Sequence, residues 1–388
     1  MQEVYMQKKY LLGFDVGTSE SKGTLTDLEG HVLAIASAKH GIISPYPGFA
    51  EHDPIADWMS DLKKVIRELL KQINGRPEEI AAIGISTIMA AVTFVDENCE
   101  PLRNAILYGI DTRCVKQTDE INEKIGIEKM QQEFGTICTV EHFGPKILWV
   151  KENEPEIFEK TKHITFASGF LTARLTGNYY VDKYSASSAL PMLDVKKQQW
   201  NDELCGMICS KELLPEIADS TYAVIGTVTA KAAEETGLAR GTKVICGTTD
   251  AGAEAVSVGV VKPGDTMLMY GSTAFYIGVT GEKISGTKMW SNDYTINHQY
   301  CCTGGMATTG SLTRWIRDEM AKELLLQEET GGENAYAALF KEAEGIPVGS
   351  DGLIVLPYFQ GERMPIQDPK AKGVLFGLNL QHTRGHII

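Results

Sequence analysis

The N-terminal third of the chain changes its hydrophobic period from two to nearly four. Tyr10 to Phe14 is an apolar run that ends on Asp15, followed by a Gly17-Thr18-Ser19 turn. A second strand over Gly23–Thr26, an Asp27-Leu-Glu-Gly30 turn and a third strand from His31 to Ala36 complete the pattern. Farther on, Trp58, Leu62, Val65, Ile66, Leu69 and Ile73 recur at helical spacing. Asp53-Pro54 reads as the N-cap and first residue of that helix, and Asn74-Gly75 as its stop. Pro77-Glu-Glu begins a short helical turn leading into a strand over residues 81–86, with another over 91–95. Strands separated by amphipathic helices predict an α/β domain with a largely buried sheet. Residues 145–176 predict two helices, around Lys146–Lys151 and around Phe170–Leu175. From Leu213-Leu-Pro215 to Lys243–Gly247 the pattern predicts strands.

The first hairpin carries candidate chemistry. A Gly-Thr-Ser turn offers open backbone N–H groups and two hydroxyls to a phosphate. Asp15 beside it is suited to a metal ion or its water, and Lys22 on the next strand can face the same anion. A second copy follows: Thr266–Tyr270, the Gly271-Ser272-Thr273 turn, then Ala274–Gly281. Such turns also occur in ordinary hairpins, but two of them far apart point to two similar lobes handling one nucleotide. Val261-Lys-Pro-Gly-Asp265 is a turn cluster at a domain boundary, giving domains over 1–260 and 261–388.

Bulk properties narrow the classes. At 388 residues there is room for two ordinary domains, and 43% hydrophobic with 23% charged residues fits a globular protein. A formal charge of −14 argues against nucleic acid or an anionic membrane as the main partner. The eight cysteines form no CxxC pair, and Cys205 and Cys209 lack a second pair to complete a zinc site. Reduced thiols in a cytoplasmic protein are the expectation, and Met1–Tyr10 shows no signal-peptide core. The histidines, His40 and His52 among them, fall at no metal-ligand spacing and are expected in surface or satisfied structural roles.

Val244-Ile-Cys-Gly-Thr-Thr-Asp250 brings another carboxylate to a strand end, followed by the small residues Ala251, Gly252 and Ala253. Asp250 is open to two readings, a plain helix cap or the base that phosphoryl transfer to an alcohol requires. Several further segments fall in a shared order: Gly48-Phe-Ala-Glu-His-Asp-Pro54 with Trp58, Ile106–Arg113, Pro145–Trp149, Gly310–Trp315 and Pro357–Gly373. With the two hairpins and Gly247–Ala251 they resemble the FGGY carbohydrate kinases of the actin-like ATPase superfamily, from about Tyr10 to the C-terminus.

The resemblance implies an α/β, two-lobed actin-like fold of ribonuclease-H-like lobes, with sugar bound mainly on the first lobe. It implies phosphorylation of a primary hydroxyl of a ketose or polyol, as in the xylulose kinases, with ATP and Mg²⁺ as cofactors. Asp250 matches the catalytic base, and Asp15 the residue that, with Asp250, positions the metal. Gly17, Thr18, Ser19, Lys22, Gly271, Ser272 and Gly310 fall to the nucleotide phosphates; Met89, Asp111 and Asp250 fall to the sugar. A homodimer is a further expectation.

Two departures qualify the resemblance. Xylulose kinases typically carry Gln-Met-His after the strand serine, whereas this chain has Ser86-Thr-Ile88-Met89-Ala90, so the sugar contact there is altered. The sequence ends at Ile388, after a strand expected over Gly373–Leu378, where the family continues into an adenine-binding segment. The second lobe is therefore expected to be incomplete, with exposed apolar surface and weaker binding of ATP than of sugar. Alternatives are a non-catalytic sugar-binding pseudokinase or inactive fragment, and an actin-like chaperone or filament ATPase.

Overall fold

The computed structural model describes residues 8–284, 289–364, 366, 368 and 370–388. The first seven residues and parts of the Pro357–Gly373 segment lie outside the described residues. Contacts divide the chain into two units. Unit 1 extends to Pro263 and takes in Asn292–Tyr300, while unit 2 takes Gly264–Val279 and Cys301–Ile388.

Unit 1 is built on a seven-stranded sheet. Its strands are β1 (Tyr10–Val16), β2 (Glu20–Asp27), β3 (Val32–Lys39), β4 (Ile80–Thr87), β5 (Val224–Thr227), β6 (Lys243–Ile245) and β7 (Thr248–Thr249). They lie in the order β5-β6-β4-β1-β2-β3, with β7 also beside β4. β1 runs antiparallel to β2 and parallel to β4. A parallel pair needs a crossover, and the helix α1 (Ser60–Gln72) lies on it. Leu62, Val65, Ile66 and Leu69 of α1 bury themselves against Leu12, Phe14, Val16 and Leu25 of the sheet. Asp53 caps the π-helical turn Pro54–Met59 that leads into α1, its Oδ1 accepting from the N–H groups of Ile55 and Ala56.

Register decides what the sheet presents. Asp15 pairs with Lys22 on β2 and with Ser86 on β4, while Thr249 of β7 pairs with Thr87. Asp15, Ser86 and Asp250 therefore fall at the carboxyl ends of β1, β4 and β7, the usual place for ligands in a parallel sheet. Gly247 permits this arrangement: its φ is +75°, and a Cβ there would lie 2.0 Å from Ile85 O.

Two sequence expectations hold only in part in this unit: the expected helices and strands are there, with further elements between them. Residues 145–176 hold three helices, Phe143–Asn153, Pro155–Lys160 and Ala167–Thr176, with the strand His163–Phe166 between them. The stretch expected as strands only contains the helix Ala230–Thr236 ahead of β6.

Unit 2 carries β8 (Thr266–Tyr270), β9 (Ala274–Thr280) and β10 (Tyr300–Met306) side by side in a four-stranded sheet. The helix α2 (Gly310–Trp315) follows β10, and a ribbon of Ile354–Leu356 with Val374–Phe376 occupies the expected strand near the end. All eight cysteines are buried, and none forms a disulfide. Among the described residues no helix is long and apolar enough to cross a membrane.

Candidate active site

A cavity of about 510 Å³ opens in unit 1 between the strand ends and the helix Asp250–Ser257. Asp15, Lys22, Ser86, Gly247, Ala253 and Ser257 are among its lining residues. Ser86 Oγ donates to Asp15 Oδ1 at 2.7 Å, which fixes the carboxylate's rotamer. Burial pushes Asp15 above the ordinary carboxylate range, against the pull of Ser86 and Lys22.

Asp250, at the start of the helix that borders the cavity, is not itself among the lining residues, and it is more perturbed than Asp15. Burial, then the neighbouring charges of Asp15 and Glu254, push its carboxyl up to about 7. Glu254, one helical turn on, is raised by burial and by Asp15 as well. Crowded carboxylates resist ionising together. The reading of Asp250 as a plain cap does not fit, because the N-cap is Thr249, whose Oγ1 accepts from Gly252 N–H at 3.1 Å. The Asp250 carboxylate accepts from Ala251 N–H at 2.8 Å. Below it, the fully buried Asp182 accepts from Thr248 Oγ1 at 3.1 Å and from the N–H groups of Tyr184 and Ser185. That bond fastens β7, and hence Asp250, to the body of the unit.

The Gly17-Thr18-Ser19 turn sits between β1 and β2. Thr18 Oγ1 is 3.0 Å from Tyr108 Oη, and Lys22 Nζ is 3.7 Å from Glu20 and largely exposed. In unit 2, Gly310 N–H donates to Gly271 O at 3.0 Å. A Cβ on Gly310 would stand 2.5 Å from that same oxygen, so only glycine permits the approach.

Asp111 and Met89 stand apart from the residues lining the cavity. Asp111 is wholly buried, its carboxylate held by Arg113 Nε and NH2 at 2.7–3.0 Å and by Ala50 N–H at 2.7 Å. The Arg113 guanidinium lies 4.0 Å from the Phe49 ring centroid and 5.0 Å from that of Trp149, and NH1 is 2.8 Å from Glu51. Lys146, also fully buried, donates to the carbonyls of Val140 and His142. Burial pulls its pKa down, while Cys114 and Asp111 pull it up. Met89 is half-buried against the cluster around Val92 and Phe94. Sequence reasoning missed Glu254, Arg113 and Lys146 as site groups. Only the i, i+4 spacing of Glu254 from Asp250 was there to find the first.

An actin-like kinase is the class that these features define: carboxylates at sheet ends around a glycine–hydroxyl turn, with a second such turn in the following unit. The chain belongs to the FGGY family of carbohydrate kinases, matching its N-terminal domain over residues 10–257 and its C-terminal domain over 266–388. It is a sugar kinase. The xylulose kinase of Lactococcus lactis is 31% identical over 97% of this chain and 73% of that protein. The gluconokinase of Bacillus licheniformis is 27% identical over 98% of this chain and 73% of its own. In fold, the crystal structure of xylulose kinase from Rhodospirillum rubrum matches 98% of this chain and 75% of that one, with a TM-score of 0.88 and 30% identity.

Proposed function

We propose that the protein transfers the γ-phosphoryl group of ATP to a primary hydroxyl of a pentulose, hexulose or related polyol, with Asp250 as the base. The observation that carries this reading is the Asp250 carboxyl, raised to about 7 beside Asp15 and Glu254. A group that ionises near neutral pH both accepts a proton and gives it up readily. As the sugar oxygen attacks the γ-phosphorus, its proton passes to the Asp250 carboxylate. The bond from that phosphorus to the β–γ bridging oxygen breaks, and ADP leaves.

The remaining roles follow the domains 1–260 and 261–388. Met89 and Asp111 contact the sugar, with Asp111 held in one orientation by Arg113. Gly17, Thr18, Ser19 and Lys22, and in the second domain Gly271, Ser272 and Gly310, serve the phosphates. Asp15 and Asp250 offer only carboxylate oxygens, the hard donors that suit Mg²⁺. Among the described residues no three His, Cys, Asp or Glu converge to hold an ion alone. That fits a cation carried largely by phosphates and water, and its charge would neutralise the transferring group.

ADP release measured with and without a panel of ketoses, polyols and gluconate tests the reading. Turnover is expected only with a sugar or polyol present. ATP hydrolysis indifferent to the panel would overturn it.

A further inference from the structure

The Gly17-Thr18-Ser19 turn is anchored from behind by two buried imidazoles. His40, directly after β3, places Nε2 3.0 Å from Gly17 O, and its Nδ1 is 2.8 Å from Asp61 Oδ2 on α1. His52 places Nε2 3.0 Å from Thr18 O, and its Nδ1 accepts from Trp58 Nε1–H at 3.1 Å. Both rings are buried, and they meet edge to face at 4.6 Å. Because Trp58 occupies Nδ1 of His52, the ring proton sits on Nε2, where Thr18 O accepts it. Burial and the nearby His40 push His52 down to about 4, which keeps that ring neutral.

In a trans peptide the C=O of one residue and the N–H of the next point in opposite directions. Drawing Gly17 O toward His40 therefore aims the Thr18 N–H away from the protein, and drawing Thr18 O toward His52 does the same for the Ser19 N–H. Among the described hydrogen bonds neither N–H donates to a protein acceptor. The corresponding carbonyls of the second turn are held in the same sense within unit 2. Gly271 O accepts from Gly310 N–H and Thr309 Oγ1, and Ser272 O from the N–H groups of Thr309 and Ser311. Backbone around the start of α2 does there what two side chains do in unit 1.

We propose that His40 and His52 are positioning residues that hold the Gly17–Ser19 turn with its N–H groups presented to nucleotide phosphate. This rests on reading that turn as a phosphate site. Either ring lost, a peptide can turn its carbonyl toward the anion, replacing attraction by repulsion.

The test is calorimetric titration of the full chain with Mg-ATP, alongside thermal melting. His40→Leu and His52→Leu should each weaken binding about five- to tenfold, the worth of one hydrogen bond. His40→Gln and His52→Gln, whose amide N–H groups reach as far as Nε2, should stay within about threefold of the parent. Where a Leu variant does not fold, the Asn variant replaces it: its shorter amide falls short of the carbonyl, and binding should fall as for Leu. Folded Leu or Asn variants that bind Mg-ATP like the parent would overturn the proposal, as would Gln variants as weak as Leu. A parent that does not bind Mg-ATP overturns it too. A parent that binds Mg-ATP yet phosphorylates nothing in the panel refutes only the proposed reaction.

Discussion

At the residue scale the proposed chemistry depends on one carboxyl. Asp250 ionises near pH 7 in the folded chain against an ordinary value of 3.8, because burial and two neighbouring acids oppose its charge. A folded-state pKa above the unfolded one means the folded chain holds the proton more tightly. Ionisation therefore works against folding as pH rises from about 4 to about 7. Asp250→Asn removes that opposition and should be the more stable protein at pH 8, the two converging near pH 4. The full shift of about three units is worth ~4 kcal/mol, and solvent at a partly open site reduces it to about 2. Denaturant unfolding at the two pH values measures this difference. The same substitution should lower kcat by roughly 10²–10⁴-fold with little change in sugar KM. In the parent, kcat should rise with pH through about 7. A flat profile, or near-normal turnover in the Asn variant, would return Asp250 to a structural role. Asp15 and Asp250 were legible as acids at strand ends, because a strand end followed by glycine or small residues is a local pattern. Glu254 and the two turn-holding histidines were not, since their meaning depends on which distant backbone they meet.

At the element scale, periodicity worked where one face is buried and failed where it is not. α1 shows a clean stripe because it lies on the sheet with its other side in water. His163–Phe166 is four residues with three of them buried, too short and too uniformly covered to show alternation. Ala230–Thr236 buries only Ala232 and Thr236, which leaves no stripe at all. Longer reach is needed for the loop that carries Asp111. Its charge is held by Arg113, which Glu51 and two aromatic rings hold in turn. Arg113→Lys keeps the charge but loses the forked contact and the stacking. That variant should raise the KM for sugar about tenfold and lower the melting temperature, with KM for ATP nearly unchanged. Equal changes in both KM values would place Arg113 in general support of the fold rather than behind the sugar site.

At the scale of the whole molecule, the duplicated hairpin was the feature that local reading caught best, because each copy is written in about fifteen contiguous residues. The architecture joining them was visible only through resemblance, since strand order and crossovers leave no contiguous trace. The units differ in what they contain. Asp15, Asp111, Met89 and Asp250 all belong to unit 1, as do the cavity's lining residues, whereas unit 2 carries the Gly271-Ser272-Thr273 turn proposed to serve phosphate. Sugar recognition should then be a property of unit 1, complete before any nucleotide arrives. Hydrogen exchange of the full chain with the preferred sugar alone should slow in peptides covering Ser86–Ala90, the Asp111 loop and the Asp250–Ser257 helix. Peptides from Gly310 onward should exchange at their unliganded rate. Their backbone bonds, including those that hold Gly271 O and Ser272 O, are made within unit 2 and gain nothing from a ligand bound elsewhere. Equal slowing in both units would show that sugar binding alone reorganises the second, and the division of labour between them would have to be redrawn.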